Sequence, residues 1–282
     1  MRYGESTPAA ETTDEDGVID TERISGLTRT VFVVADPVFQ LRTPQALNAI
    51  WARRGLDLVT IPAHITVAGL GAFVDGMRAA ENAAGAVMTV PHKQSAGAYC
   101  DELGPNAKLT GSINAIRREN GRLIGETFDG AGFVAGLRAR DFDLAGAHVQ
   151  LLGAGGAASS IAVALVRAGI RSLDIENRTP ARAEALARRV ADGLGFSDVR
   201  VGRERARQVQ LVVNATSNGM TPGAVSDFGL DPFPAGALAA DVIVSDEPTP
   251  FLAAARVQGL QLHEGRHMLH GQMEAIADFL ST

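Results

Sequence analysis

The sequence predicts an α/β protein built as two consecutive units, and three observations carry that prediction. Strand-like apolar runs alternate with helix-like stretches from Thr30 onward. The alternation restarts near Val149. That restart reads Val149-Gln150-Leu151-Leu152-Gly153-Ala154-Gly155-Gly156-Ala157-Ala158, an apolar run ending in G-x-G-x-x-A that opens a helix of small residues. Such a turn brings backbone N–H groups against a pyrophosphate at the positive end of the helix. The second unit therefore reads as a Rossmann dinucleotide-binding domain, and the first as a smaller α/β unit of its own.

The elements follow in order. Residues 1–27 are rich in Thr, Glu, Asp and Gly, without apolar periodicity, and read as a flexible tail. Thr30 to Ala35 (TVFVVA) is a strand, and Thr43 before Pro44 reads as the N-cap of a helix running to Gly55. Strands near Leu58 to Ala63 and Gly85 to Val90 flank a helix around Ile65 to Ala80, a βαβ alternation. A strand pair within Lys108 to Ile124 turns at Glu119-Asn120-Gly121, where Asn-Gly suits positive φ. Phe128 to Arg140 is a helix leaving the first unit, and Asp141 to Gly146 is a linker. The second unit continues with a helix from Ala157 to Ala168, Gly169 as its stop, and a strand over Arg171 to Asn177. A strand at Leu260 to Leu262 hands over to a last helix, Met268 to Leu280, which packs back on the first unit. The expected boundaries are 28–140, completed by 266–282, for the substrate domain and 141–265 for the dinucleotide domain, with a ligand cleft between them.

Gly153, Ala154, Gly155, Gly156 and Ala157 are the candidate pyrophosphate contacts, because a side chain larger than methyl blocks that approach. The end of the next strand decides the cofactor. An acidic residue there hydrogen-bonds a ribose 2′-hydroxyl and repels a 2′-phosphate. Here the strand ends in Asn177, followed by Arg178 and Thr179, with Arg182 one turn on. Two guanidinium forks and a hydroxyl favour NADP over NAD. The same residues also serve as an ordinary helix start, with Thr179 as N-cap and Pro180 at N1. Glu176, on an alternating strand, faces away from Asn177.

A net charge of −6 with scattered basic residues argues against nucleic acid as a partner. No apolar run reaches the length of a membrane span, and no signal pattern opens the chain, so cytoplasmic residence is expected. One cysteine, Cys100, excludes an intramolecular disulfide framework and a Cys-based zinc site, and reads as a small buried hydrophobe. His263-Glu264-Gly265-Arg266-His267 matches H-E-x-x-H, but Gly265 falls where a strand passes to a helix. The two histidines then do not share a helical face, so no metal is assigned. His92 reads as an exposed loop residue and Trp51 as core.

Lys93 follows a buried-looking strand in Thr89-Val90-Pro91-His92-Lys93, at the strand end where open α/β sheets place ligands. Asp129 opens the connecting helix in Thr127-Phe128-Asp129-Gly130. Each alone has an ordinary reading, as a solvated lysine and a capping aspartate. The ordered set of TVPHK, Gly111-Ser112-Ile113-Asn114, Asp129-Gly130, GAGGAA, NRTPAR, Asn214-Ala215-Thr216-Ser217-Asn218-Gly219-Met220, Thr249-Pro250 and Met268-Leu269 with Gln272 resembles the shikimate dehydrogenase family, from Val33 to the C-terminus. The resemblance implies a substrate domain joined to an NADP-binding domain, and reversible reduction of 3-dehydroshikimate to shikimate. It implies that Lys93 and Asp129 are the catalytic pair, and that Thr89, Asn114 and Gln272 bind substrate hydroxyls. It also implies that Val242 and Gly265 lie near the nicotinamide, with Asn214 and Thr216 ending a strand of the cofactor domain. The residue types suit the chemistry, because a carbonyl oxygen gaining charge needs a positioned proton donor.

The sequence departs from the family at the substrate end. The family's Ser-x-Ser-Pro corresponds to Leu41-Arg42-Thr43-Pro44, which loses the first hydroxyl and keeps the second as Thr43. Arg42 either binds a substrate carboxylate in place of the serine or points to solvent. A substrate-contacting tyrosine of the family corresponds to Val244, and the family's Asn-Thr-Asp run is Thr127-Phe128-Asp129. The expected partner is a cyclic hydroxy acid. A quinate or aminoshikimate-like substrate, or an NADP-binding regulatory module without turnover, stands as the alternative. A monomer or a homodimer fits equally.

Overall fold

The computed structural model describes residues 24–220 and 233–282; most of the expected tail, residues 1–23, lies outside the described residues. Among the described residues, two six-stranded sheets form. The first contains β1 (Arg29–Ala35), β2 (Leu58–His64), β3 (Ala83–Met88), β4 (Glu102–Leu103), β5 (Ala115–Glu119) and β6 (Arg122–Glu126), in the order β2-β1-β3-β5-β6-β4. β1 pairs in parallel with β2 and β3, whereas β5 runs antiparallel to both β3 and β6. β3 (AAGAVM) is buried at every position, as an apolar run covered on both faces must be. Helices α1 (Thr43–Arg54), α2 (Leu70–Ala79), α3 (Pro105–Thr110) and α4 (Asp129–Arg138) belong to this half of the chain.

The second sheet contains β7 (His148–Leu152), β8 (Ser172–Glu176), β9 (Val199–Val201), β10 (Leu211–Asn214), β11 (Leu238–Asp241) and β12 (Gln261–His263). All its pairings are parallel, in the order β12-β11-β10-β7-β8-β9. That is the doubly wound dinucleotide-binding order, with its switch point between β7 and β10, where a ligand crevice opens at the strands' carboxyl ends. Helices α5 (Gly156–Arg167), α6 (Pro180–Leu194) and α7 (Pro250–Val257) follow β7, β8 and β11. α6 buries Ala183, Leu186 and Val190, the apolar stripe of an otherwise charged helix.

The last helix, α8 (Gly265–Ser281), closes against α4 and α1. Its Met273, Ile276, Ala277 and Leu280 join Val31, Leu47 and Trp51 in one buried cluster. Trp51 is core, as expected, and its Nε1 donates to Thr60 Oγ1 at 2.8 Å. Small residues set the α4–α8 distance. A Cβ on Gly132 would stand 2.6 Å from Gln272 Cβ and 2.7 Å from Met268 O, so only glycine allows this approach.

Several sequence expectations need correction. The strand pair expected from Lys108 starts only at Ala115, since Pro105–Thr110 is helical and ends on Gly111 in the left-handed region; the Asn120-Gly121 turn itself is as expected. The helix expected from Ile65 begins at Leu70. Thr43 is the first helical residue rather than the N-cap; Arg42 caps, and no side chain there accepts a capping bond. Thr179 is the N-cap before Pro180, again without a side-chain bond. His92 is fully buried rather than exposed, and its Nε2 donates to Ile65 O at 2.7 Å. Cys100 is half-buried, and burial pushes its thiol up to about 11.

Candidate active site

Four elements deliver one polar cluster. Lys93 sits in the short 3₁₀ turn after β3, Asn114 immediately before β5, Asp129 at the start of α4 and Gln272 in the second turn of α8. Lys93 Nζ donates to Asp129 Oδ2 at 2.5 Å. Asn114 Nδ2 donates to Asp129 Oδ1 at 3.1 Å and to Gln272 Oε1 at 2.7 Å, and Asn114 Oδ1 accepts from Phe128 N at 2.9 Å. Asp129 is fully buried, and the Lys93 side chain keeps 15% exposure, so the ammonium is the member of the pair that meets solvent. An ion pair so placed is held by geometry rather than by charge alone, because the buried carboxylate has both oxygens occupied. Thr89 lies partly buried just past β3, four residues before Lys93. Its N–H donates to Val34 O at 3.0 Å, which fixes the strand end that carries the lysine.

The glycine turn abuts this cluster. Gly153 closes β7 with φ +112, a conformation that L side chains rarely adopt, and its carbon faces Ala215 O. A Cβ on Gly156 would stand 2.5 Å from Ser112 Oγ and 3.0 Å from Lys93 Cβ, so the first turn of α5 lies directly on the catalytic candidate. Gly155 has open space where its Cβ would be, and the N–H groups of Gly156, Ala157 and Ala158 precede the helix's first internal bond, from Ser159 N to Gly155 O. Ser160 on α5 ties the units together, its Oγ accepting from Gly130 N at 2.9 Å and from Thr127 Oγ1 at 3.2 Å.

One strand over, Arg178, Thr179 and Arg182 are exposed, and Asn177 Nδ2 donates to Thr179 O at 2.9 Å. Glu176 is turned away from them and paired with Arg203. The donor set thus fits an NADP molecule: an open glycine cradle with helix-start amides for the pyrophosphate, and two guanidinium groups, without a partner among the described residues, for the 2′-phosphate.

Sequence reasoning missed Asp241 and the network it makes at the ends of β10 and β11. Asn214 ends β10, and its side chain is engaged internally, Oδ1 accepting from Thr216 Oγ1 at 2.7 Å and Nδ2 donating to Asp241 Oδ2 at 3.1 Å. Asp241, fully buried at the end of β11, also accepts from Thr249 Oγ1 at 2.6 Å and Ile243 N at 3.0 Å. Burial pushes its carboxyl up to about 6 despite these donors. The network shapes the segment carrying Val242, whose carbonyl carbon lies against Gly265 at the head of α8. An acidic residue ending an apolar strand was the available signal. Arg42 is not free either: its Nη2 donates to Asp246 Oδ2 at 2.8 Å, and both are exposed. Leu41 packs on the cluster around Leu47, Trp51 and Phe128, and Thr43 is partly buried beside it. His263 is on β12 and His267 on α8, so the H-E-x-x-H letters do not share a helical face.

The chain matches two family models, "Shikimate dehydrogenase substrate binding domain" over residues 33–116 and "Shikimate / quinate 5-dehydrogenase" over 136–221. It is 37% identical over 259 residues to the shikimate dehydrogenase (NADP(+)) of Rubrobacter xylanophilus, covering 88% of each chain. Among solved structures it is similar to the shikimate 5-dehydrogenase of Thermus thermophilus in complex with NADP(H) and shikimate, with TM-score 0.79, 31% identity and coverage of 90% of this chain and 94% of that one. It is also similar to the ligand-free 5-ketofructose reductase of a Gluconobacter species, with TM-score 0.74, 28% identity and coverage of 90% and 98%. With a polar cluster on one sheet, a dinucleotide turn on the other and matches of this extent across both, the chain belongs to the shikimate dehydrogenase family.

Proposed function

We propose that the protein is an NADP-dependent oxidoreductase that interconverts a secondary alcohol and a ketone on a cyclic hydroxy acid, with shikimate and 3-dehydroshikimate as its first substrate pair. The observation that carries this reading is the Lys93–Asp129 contact, locked by Asn114 and lying against the glycine turn. Residues 28–140, completed by 266–282, hold the substrate, and 141–265 hold the cofactor. Gly153, Ala154, Gly155, Gly156 and Ala157 take the pyrophosphate, Asn177, Arg178, Thr179 and Arg182 the adenosine ribose and its phosphate, and Val242 and Gly265 flank the nicotinamide. Asn214 and Thr216 act one step back, by fixing the backbone behind that face.

When bound, NADPH supplies a hydride from C4 of its nicotinamide ring. Lys93 Nζ gives its proton to the substrate oxygen as negative charge builds there, and takes it back in the reverse direction. Asp129 aims the ammonium, and Asn114 keeps the carboxylate from rotating. Gln272 and Thr89 line the hydroxyl-bearing side of the substrate, and Thr43 keeps one hydroxyl for its carboxylate. Packing of α5 over Lys93 excludes water from one side of the pair.

A regulatory module without turnover has no use for a lysine held in this way. Replacement of the family tyrosine by Val244 widens the pocket, which favours quinate, with its extra hydroxyl, as the second substrate to offer. Among the described residues no helix is long and apolar enough to cross a membrane. A reducing cytoplasm suits an NADPH-linked enzyme with one cysteine.

The test is nicotinamide absorbance with shikimate or quinate and NADP+ or NAD+. Turnover is expected with shikimate and NADP+. Lys93→Ala is expected to lower kcat by about 10²- to 10⁴-fold while NADP+ still binds. Retention of wild-type kcat in that variant overturns the assigned mechanism.

A further inference from the structure

We propose that Asp246 is a specificity-determining residue: it holds the Arg42 guanidinium through one hydrogen bond, and a substrate carboxylate binds by displacing it. The inference rests on the cyclic-acid reading above and adds the residue that sets the preference for charge. Arg42 is at the head of α1, seven residues past β1, and Asp246 is in the segment that leaves β11, 204 residues away in sequence. Their 2.8 Å contact therefore joins the two halves of the chain.

The contact lies beside the site. Thr89 N donates to Val34 O at 3.0 Å and Asp36 N to Val90 O at 3.1 Å, so the strand end leading to Arg42 runs along the one leading to Lys93. Leu41, next to Arg42, packs in the cluster that holds Phe128, the neighbour of Asp129. On the other side, Asp246 borders a hollow with Ile243, Gly265 and Arg266, at the head of the helix that carries Gln272.

Chemistry supplies the rest. Leu41 stands where the family has a serine hydroxyl, and its side chain is turned into the apolar cluster, so it offers a carboxylate nothing. Arg42 is the adjacent cation, and its single Nη2 contact with Asp246 Oδ2 can be exchanged for a two-pronged one with a substrate carboxylate. The pair is exposed, with side chains 48% and 85% accessible, so it is weak enough for exchange with a ligand. An uncharged ligand has nothing to gain from that exchange. The intact pair thus lowers the affinity of acids relative to neutral polyols of the same ring.

Calorimetric titration at saturating NADP+ tests this, with shikimate and its uncharged methyl ester as probes, on wild type, Asp246→Asn, Arg42→Leu and the double variant. Asp246→Asn is expected to tighten shikimate about five-fold, equivalent to ~1 kcal/mol, and to leave the ester unchanged. In the Arg42→Leu background the same change is expected to have no effect on either probe. An unchanged acid-to-ester ratio in Asp246→Asn overturns the proposal, and so does tightening that persists without Arg42, which reports general electrostatics. Absence of shikimate binding by both wild type and Asp246→Asn also overturns it. Because the readout is binding, it stands apart from turnover: an enzyme that binds the acid as expected but fails to oxidise it refutes the functional reading and leaves this one in place.

Discussion

His263 has both ring nitrogens buried without a hydrogen-bond partner among the described residues, with Phe133 edge-on at 5.9 Å and the His267 ring at 4.8 Å. Burial, and after it the neighbouring charges of His267 and Arg140, lowers its pKa to about 4, and burial lowers that of His267 as well. The folded chain thus prefers the neutral ring. Its contribution is fully present above the ordinary value of 6.5 and is lost as pH falls from there to about 4. Asp241 acts in the opposite sense. With its carboxyl raised from 3.8 to about 6, the folded state holds a proton that the unfolded chain releases, so stability falls as pH rises through that window. The two effects offset each other between pH 4 and 6. His263→Leu removes one of them, and its stability relative to wild type is expected to improve by about 2–3 kcal/mol on going from pH 6.5 to 4.5. Urea midpoints at the two pH values check this, and an equal difference at both would show that the buried ring is not the acid-sensitive group.

At the scale of elements, the α4–α8 contact sets the site. Asp129 opens α4, Gln272 lies on α8, and Gly132 keeps the helices close enough for Asn114 to reach both. Gly132→Ala places a methyl group against Gln272 Cβ and Met268 O, neither of which is a flexible tip. The expected cost is about 1–3 kcal/mol in urea unfolding, together with a raised KM for shikimate as Gln272 moves out. A variant with wild-type stability and KM would mean that the helices part without consequence for the cluster. Legibility in the sequence follows the range of the interaction. The turn after β7, the strands around it and the Asn120-Gly121 hairpin are local patterns, and each was readable. α3 was not, because six residues are too few for a helical period to show. Burial of His92 depends on Ile65 O, 27 residues distant, and the commitment of Arg42 depends on Asp246 in the other half of the chain. Residue types placed Lys93, Asp129, Asn114 and Gln272 on the candidate roster through resemblance; only the packing of four separate elements brings them within bonding distance.

For the whole molecule, α4 and α8 share a core with the second sheet. Phe133, Val134 and Leu137 of α4 and Met268 of α8 sit in the same buried cluster as Val149, Ile161 and Leu211 of the second half. Unfolding of one half therefore strips apolar cover from the other, and a single transition is expected. Trp51, the sole tryptophan, reports from the first half, and NADP+ binding reports from the second. Their urea midpoints should coincide; a Trp51 transition well separated from the loss of cofactor binding would show that the halves unfold independently.

The placement of α8 has a further consequence for how the protein is made. The second sheet is complete in sequence at His263, whereas Gln272 and the residues that cover Leu47 and Trp51 come afterwards. During synthesis the half translated first must wait, with Val31, Leu47 and Trp51 uncovered, until the half translated second and then α8 have left the ribosome. The order of translation is thus the reverse of the order of completion, and the interval in which the nascent chain needs protection from aggregation is set by the time taken to translate residues 141–281.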